Sequence, residues 1–192
     1  MARKASMGRD YFEDLYARSA DPWRFVSSRY ERLKYRDTLH AAGRGPGEAL
    51  EIGCSIGVFT RLLAPRWRRL LAVDVSERAV AAARRRCADR SNVTFGVCRI
   101  PDQLPRRRFG LIVLSEVGYY WTPRELARFC RWLPGALQPG GRAVVVHWTG
   151  RTDYPLSGDE VHARLKRAVR RQLQSRLAQR RPGYRLDVLA RR

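Results

Sequence analysis

The sequence predicts an α/β protein built on a doubly wound, mostly parallel sheet. Three observations carry that reading. Apolar runs of strand length alternate with helical stretches from residue 49 onward. The segment LEIGCSIGVFT (Leu50 to Thr60) passes from the first such run through a glycine turn into a helix. Asp74 then closes the second run, 23 residues after Glu51. In sheets of this kind, ligands bind at the carboxyl ends of the strands, near the point where strand order reverses.

Residues 9–42 read as two short helices broken at Ser19–Pro22, with Tyr11, Phe12, Tyr16, Trp23, Phe25, Tyr30 and Tyr35 along them. GRGPG (Gly43–Gly47) breaks the helical pattern. Strands are expected at Ala49–Ile52, Leu70–Val75, Val93–Val97, Leu111–Ser115 and Arg142–His147, apolar enough to be buried on both faces. Helices are expected between them at Val58–Ala64, Glu77–Asp89 and Pro123–Leu137, with Ser76 as N-cap of the second. Such alternation implies parallel strands joined by crossover helices. PGGR (Pro139–Arg142) is a tight turn into the fifth strand. Val161, Leu165, Val169, Leu173 and Leu177 recur every four residues, which predicts one long helix over Gly158–Arg180. Tyr184–Leu189 reads as a last strand. The 192 residues fit one domain, with a helical segment (9–42) ahead of a Rossmann-like core (48–192).

Composition narrows the function classes. No apolar run approaches the roughly 20 residues that span a bilayer. The N-terminus has basic residues but no apolar h-region, so a cytoplasmic protein without a signal peptide is expected. Cys54, Cys87, Cys98 and Cys130 form no CxxC pair, which favours free thiols over disulfides or a zinc site, and no metal is expected. The net charge of +21 invites a nucleic-acid reading. However, apart from Lys4, Lys34 and Lys166, all 39 basic residues are arginine, a bias that a GC-rich genome also produces. The arginines are dispersed in runs such as Arg84–Arg86, Arg106–Arg108 and Arg170–Arg171, as on a solvated basic face.

The glycine turn bears on the cofactor. A dinucleotide site wants G-x-G-x-x-G, which seats a pyrophosphate on a helix N-terminus. Here Gly53 and Gly57 are present, Ser55 stands where a middle glycine would, and Thr60 replaces the third. That disfavours NAD and suits S-adenosylmethionine, which carries no phosphate. Glu51 beside the turn can attract its cationic end, the two glycines allow close backbone approach, and Asp74 can accept bonds from both ribose hydroxyls.

With these residues in hand, the chain resembles the class I S-adenosylmethionine-dependent methyltransferases. More narrowly, it resembles the nodulation protein S (NodS) N-methyltransferase family. LEIGCSIGVFTRLLA (Leu50–Ala64) and AVDVS (Ala72–Ser76) match motifs shared by many such enzymes. DPWRFVSSRYERLKY (Asp21–Tyr35) and HWTGRTDYPLSGDEVH (His147–His162) are the pieces specific to the narrower family. The resemblance implies that Glu51, Gly53, Cys54, Ser55, Gly57, Asp74, Val75, Ile100 and Ser115 bind the cofactor. It implies that Ser115 and Glu116 lie beneath the methyl donor, and that Trp23 and Tyr30 belong to a lid over the site. It further implies transfer to an amine nitrogen, as of an amino sugar in a de-N-acetylated chitooligosaccharide. Against the family pattern, Gly110 stands where many relatives have Asp, with loss of a loop hydrogen bond expected. Gly118 replaces a bulky apolar residue, and the acidic residue that usually faces the adenine is displaced to Asp102. The C-terminal end is expected to be shortened, with the usual seventh strand absent or very short.

Methyl transfer to an amine needs alignment and a group that takes or orients the ammonium proton. Glu116 is the first candidate, or else a loop cap. His147 ends the fifth strand and is a base or a structural histidine. Tyr119 and Tyr120 shape an acceptor pocket or pack beneath the lid. Asp153, Tyr154 and His162 contact the acceptor or cap the last helix. His40 belongs to no constellation. Two rivals remain: an RNA or protein methyltransferase using the basic surface, and a non-catalytic protein that keeps the cofactor site.

Overall fold

The computed structural model describes residues 5–192; the first four, part of the N-terminal reading, lie outside the described residues. Helices α1 (Arg9–Arg18) and α2 (Arg29–Ala42) precede the sheet. Then follow β1 (Gly45–Ile52), α3 (Val58–Leu63), β2 (Trp67–Asp74), α4 (Glu77–Arg86), β3 (Val93–Val97) and β4 (Phe109–Ser115). The chain continues with α5 (Pro123–Ala136), β5 (Leu137–Trp148), α6 (Gly158–Val169), β6 (Leu173–Arg181) and β7 (Tyr184–Arg191). The sheet order is β3-β2-β1-β4-β5-β7-β6. All neighbours are parallel except β7, which runs against both β5 and β6.

Burial on both faces explains the continuous apolar runs. In β4, Leu111 and Val113 pack with Leu63 and Tyr35 on one side of the sheet. Ile112 and Leu114 pack with Phe129 and Leu165 on the other. Helices α2 and α3 therefore cover one face and α5 and α6 the other, as a doubly wound sheet requires. Helix starts follow the capping chemistry. Ser76 accepts from the Ala79 amide, and Thr122–Glu125 and Ser157–Glu160 form capping boxes.

Two expectations fail at the C-terminus. The helix over Gly158–Arg180 ends at Val169, and Leu173–Arg181 is the edge strand β6. A spacing of four residues fits strand alternation as well as a helix turn, and the register shift between Ser175 and Leu177 in the pairing with β7 then separates Leu177 from the buried side of Leu173. Leu177 is 38% exposed, so it never belonged to an apolar helix face. The seventh strand is consequently present and the sheet is complete. At the other end, β1 begins at Gly45, inside the predicted breaker, and runs through a register shift before Glu48.

The unusual Gly110 has a packing cause. A Cβ there would lie 2.8 Å from the Trp67 ring, and one on Gly45 would lie 2.3 Å from it. Trp67 thus occupies space that side chains on β1 and β4 would claim. Gly110→Asp should destabilise the fold by about 1–3 kcal/mol, as overpacking does. In a Trp67→Leu background the same change should cost clearly less. Denaturant titration of the four proteins reads this; equal costs in both backgrounds would rule out the ring as the cause.

Candidate functional site

A cavity of about 360 Å³ opens at the carboxyl ends of β1, β2 and β4. That is the size of a small-molecule site. It sits where strand order reverses, with β2 on one side of β1 and β4 on the other. Its floor comes from strand ends and the glycine turn, and its walls from the N-terminal segment with α1 and α2 and from the loops that follow β3, β4 and β5.

The glycine turn is held by Asp74. One carboxylate oxygen accepts from the Ser55 amide at 2.8 Å and the other from the Ser76 amide at 3.0 Å. Burial raises the Asp74 pKa, and these amides oppose the shift. Ser55 takes a left-handed φ of 49° and its hydroxyl meets that of Tyr16 at 2.5 Å. Gly53 and Gly57 also have positive φ, 80° and 78°. Their missing side chains make room for protein. A Cβ on Gly53 would lie 2.2 Å from Val117, and one on Gly57 would lie 2.9 Å from Ala83 of α4. Gly57 does not line the cavity, which corrects its assignment to close cofactor approach.

Glu51 lines the cavity at the end of β1 and is 3% exposed. Its Oε2 is buried without a hydrogen-bond partner. Burial, opposed by the nearby Thr60 hydroxyl and aided by the Asp74 charge, pushes its pKa up to about 8. An orphaned carboxylate oxygen beside a glycine turn fits the ammonium of an amino-acid-like cofactor. Asp74, with spare lone pairs at the end of β2, fits a diol. The residues present therefore suit S-adenosylmethionine.

Cys54, Val75, Ile100, Ser115, Trp23 and Tyr30 also line the cavity. Tyr30 donates to the Gly183 carbonyl at 3.0 Å, which ties α2 to the β6–β7 turn. Glu116 follows β4 with a positive φ of 58°, a backbone strain of about 1–3 kcal/mol. Its carboxylate accepts from Lys34 Nζ at 2.7 Å, the Tyr119 hydroxyl at 2.6 Å and the Trp148 amide at 2.9 Å. Tyr119, Tyr120 and Tyr154 form an aromatic cluster on the cavity wall, with ring centroids 4.5–5.2 Å apart. Burial holds the Tyr119 and Tyr120 phenols well above their ordinary pKa, so they serve as donors and not as bases.

His147 is elsewhere. It is fully buried, does not line the cavity, and accepts from the Gly118 amide through Nε2 at 2.9 Å. That bond places its proton on Nδ1, which faces His162 Nε2 at 3.3 Å, while His162 Nδ1 meets Asp187 at 2.8 Å. Burial, then the His162 and Lys34 charges, holds the His147 pKa well below the usual value. It is a structural histidine rather than a base. Gly118 is its counterpart, since a Cβ there would lie 3.0 Å from His147 Nε2. Asp153 and His40 are exposed and, like His162, lie outside the cavity wall.

Lys34 was missed from sequence. It is 1% exposed, bridges Glu31 at 2.9 Å and Glu116 at 2.7 Å, and lies 5.2 Å from the Tyr30 ring centroid. Its one signal in the sequence is that a chain so rich in arginine keeps a lysine there. Tyr16, Phe25 and Tyr35 join it in the wall.

The buried Glu51 predicts a pH signature. Its folded pKa of about 8 exceeds the ordinary 4.5, so the folded form binds the extra proton between those values. Wild-type stability should therefore fall as pH rises from 4.5 to about 8. Glu51→Gln should lack this contribution and be the more stable by roughly 3–5 kcal/mol at alkaline pH. Denaturant titrations across pH check this; parallel profiles would remove the claim.

Comparisons with known proteins agree with this geometry. The family model for nodulation protein S (NodS) matches residues 9–136. Nodulation protein S of Bradyrhizobium diazoefficiens is 38% identical over 102 residues, covering 52% of this chain and 49% of that protein. Its counterpart in Rhizobium tropici is 35% identical over 127 residues, covering 65% and 53%. The chain thus spans about half the length of the curated relatives it matches. The crystal structure of N-methyltransferase NodS from Bradyrhizobium japonicum WM9 in complex with S-adenosyl-L-homocysteine is similar at a TM-score of 0.83. It is 25% identical, over 95% of this chain and 97% of that one. From α1 through α5 the chain fits the family model, and it belongs to the nodulation protein S family, with the class I methyltransferase fold.

Proposed function

We propose that this protein is an S-adenosylmethionine-dependent N-methyltransferase acting on a small-molecule amine, with an amino sugar as the acceptor class. The observation that carries the reading is the pairing of Glu51, with its orphaned oxygen, and Asp74 in one cavity at the strand-order switch. The cofactor supplies a methyl carbon made electrophilic by its sulfonium. Glu51 takes its ammonium, Asp74 its ribose hydroxyls, and Ile100 packs on its adenine. The backbone of Gly53, Cys54 and Ser55 lines the same wall. Tyr16, Trp23 and Tyr30 close the cavity from above as a lid and keep water from the reacting groups. Tyr119, Tyr154 and Trp148 present aromatic faces of the kind on which sugar rings and cations rest. The name of the Bradyrhizobium japonicum relative, an N-methyltransferase bound to S-adenosyl-L-homocysteine, supports the same cofactor and acceptor atom.

Calorimetry tests the cofactor. S-adenosylhomocysteine should bind wild type, and NAD should not. Asp74→Ala, its fold checked by circular dichroism, should weaken binding by about 100-fold or more, the scale of two charge-assisted hydrogen bonds. Undiminished binding would free Asp74 from this role, and no binding by wild type would overturn the reading. The +21 charge supports a second reading, an RNA or protein acceptor. That reading predicts RNA binding that weakens steeply with salt.

A further inference from the structure

The cavity contains a charge arrangement that the cofactor leaves unbalanced. Lys34 is shared between Glu31 and Glu116, so two carboxylates face one ammonium. Both Glu116 oxygens are bonded, one to Lys34 and the other to Tyr119 and the Trp148 amide. Glu31 differs. Its Oε1 meets Lys34, but its Oε2 is buried with no hydrogen-bond partner. The Tyr35 hydroxyl lies beside that carboxyl and lowers its pKa as a hydrogen-bond donor does, but no donor meets Oε2 in full hydrogen-bond geometry. Glu31 is 6% exposed and lines the cavity. An unpaired carboxylate oxygen and a surplus negative charge in a buried wall are both costly, and a cationic donor relieves both. The cofactor's ammonium already has Glu51, on β1 beside the glycine turn. The remaining cation is the acceptor.

Resting on the reading of this chain as an amine methyltransferase, we propose that Glu31 binds the acceptor as an ammonium and takes its proton, with Lys34 as the positioning residue. The ammonium donates to Glu31 Oε2 and passes one proton to it. The freed lone pair forms the new N–C bond as the C–S bond breaks, its electron pair returning to sulfur. The proton leaves Glu31 for solvent with the product. Burial raises the Glu31 pKa, with Lys34 opposing, which brings the carboxyl closer to the amine it must deprotonate. Lys34 is not the base. Burial alone would lower its pKa, but Glu116 and Glu31 outweigh that and raise it. An amide nitrogen carries no charge, its N–H is too weakly acidic for a carboxylate to remove, and its lone pair is delocalised into the carbonyl, so the site selects free amines over their N-acetyl forms.

The test uses the full chain saturated with S-adenosylhomocysteine, titrated with a glucosamine tetramer and its N-acetylated form. Wild type should prefer the amine by at least about tenfold. Glu31→Gln, close in shape, should lose that preference while keeping its affinity for S-adenosylhomocysteine. Its kcat/KM should fall by about 10²–10⁴-fold, with the acidic limb of the pH profile moved up to the ionisation of the amine itself. Glu31→Asp should restore part of both. Lys34→Met strands two carboxylates and risks unfolding, so Glu31→Gln carries the test. A Glu31→Gln protein that loses S-adenosylhomocysteine but keeps the amine preference would reassign Glu31 to the cofactor and overturn the proposal. So would a wild type with no amine preference. Failure of wild type to bind S-adenosylhomocysteine would instead overturn the function proposed above.

Discussion

Lys34 is the residue on which the cavity depends. A buried ammonium survives in a protein only with close anionic partners. Here the partners come from different places: Glu31 from one turn earlier on α2, and Glu116 from the end of β4, 82 residues away. The ion pair therefore clamps α2 against the sheet at the cavity wall. Removing one member of such a cluster costs about 3–5 kcal/mol, because the others stay buried and unpaired. Tyr30 reinforces the clamp through its ring over Lys34 and its bond to Gly183. Without these contacts α2 would still bury Tyr35, Thr38 and Ala42, but nothing would fix its first turn over the cavity.

Strain is concentrated where the site needs it. Apart from Arg24, the described non-glycine residues with positive φ are Ser55 and Glu116, both on the cavity wall. Each is held by bonds that no relaxed backbone would offer. Ser55 is gripped through its amide by Asp74 and through its hydroxyl by Tyr16. Glu116 is held by Lys34, Tyr119 and the Trp148 amide. The left-handed turn at each residue redirects the chain as it leaves a strand, and side-chain bonds offset the local cost.

Legibility in the sequence followed the range of the interactions. Strands β1 to β5 and helices α4 and α5 were readable because burial on both sheet faces and local caps leave their marks within a few residues. β6 was not, because an edge strand exposes most of its side chains and leucines four residues apart fit a strand face and a helix face alike. The cofactor turn was readable as a turn, yet the partners of its glycines, Val117 and Ala83, come from other elements. Lys34 was hidden for a different reason. Between Leu33 and Tyr35 on an arginine-rich helix it looks like a solvated charge, and only the docking of α2 on β5 and β7, beside Glu116, buries it. The match of Gly118 to His147 depends likewise on β4 and β5 lying side by side.

The charge of the cavity runs opposite to that of the molecule. Overall the chain carries +21, but Glu31, Asp74, Glu116 and Glu125 line the cavity against Lys34 and Arg99, and Glu51 adds its charge once a bound cation draws off its proton. The outer arginines are screened over about 8 Å at physiological salt, whereas charges inside a half-buried cavity are screened far less. A ligand that has entered therefore feels the carboxylates first. A sulfonium cofactor and an ammonium acceptor suit such an interior, and a polyanion does not. The basic surface and the acidic cavity thus answer to different physics, and the acidic cavity is where a small ligand is chosen.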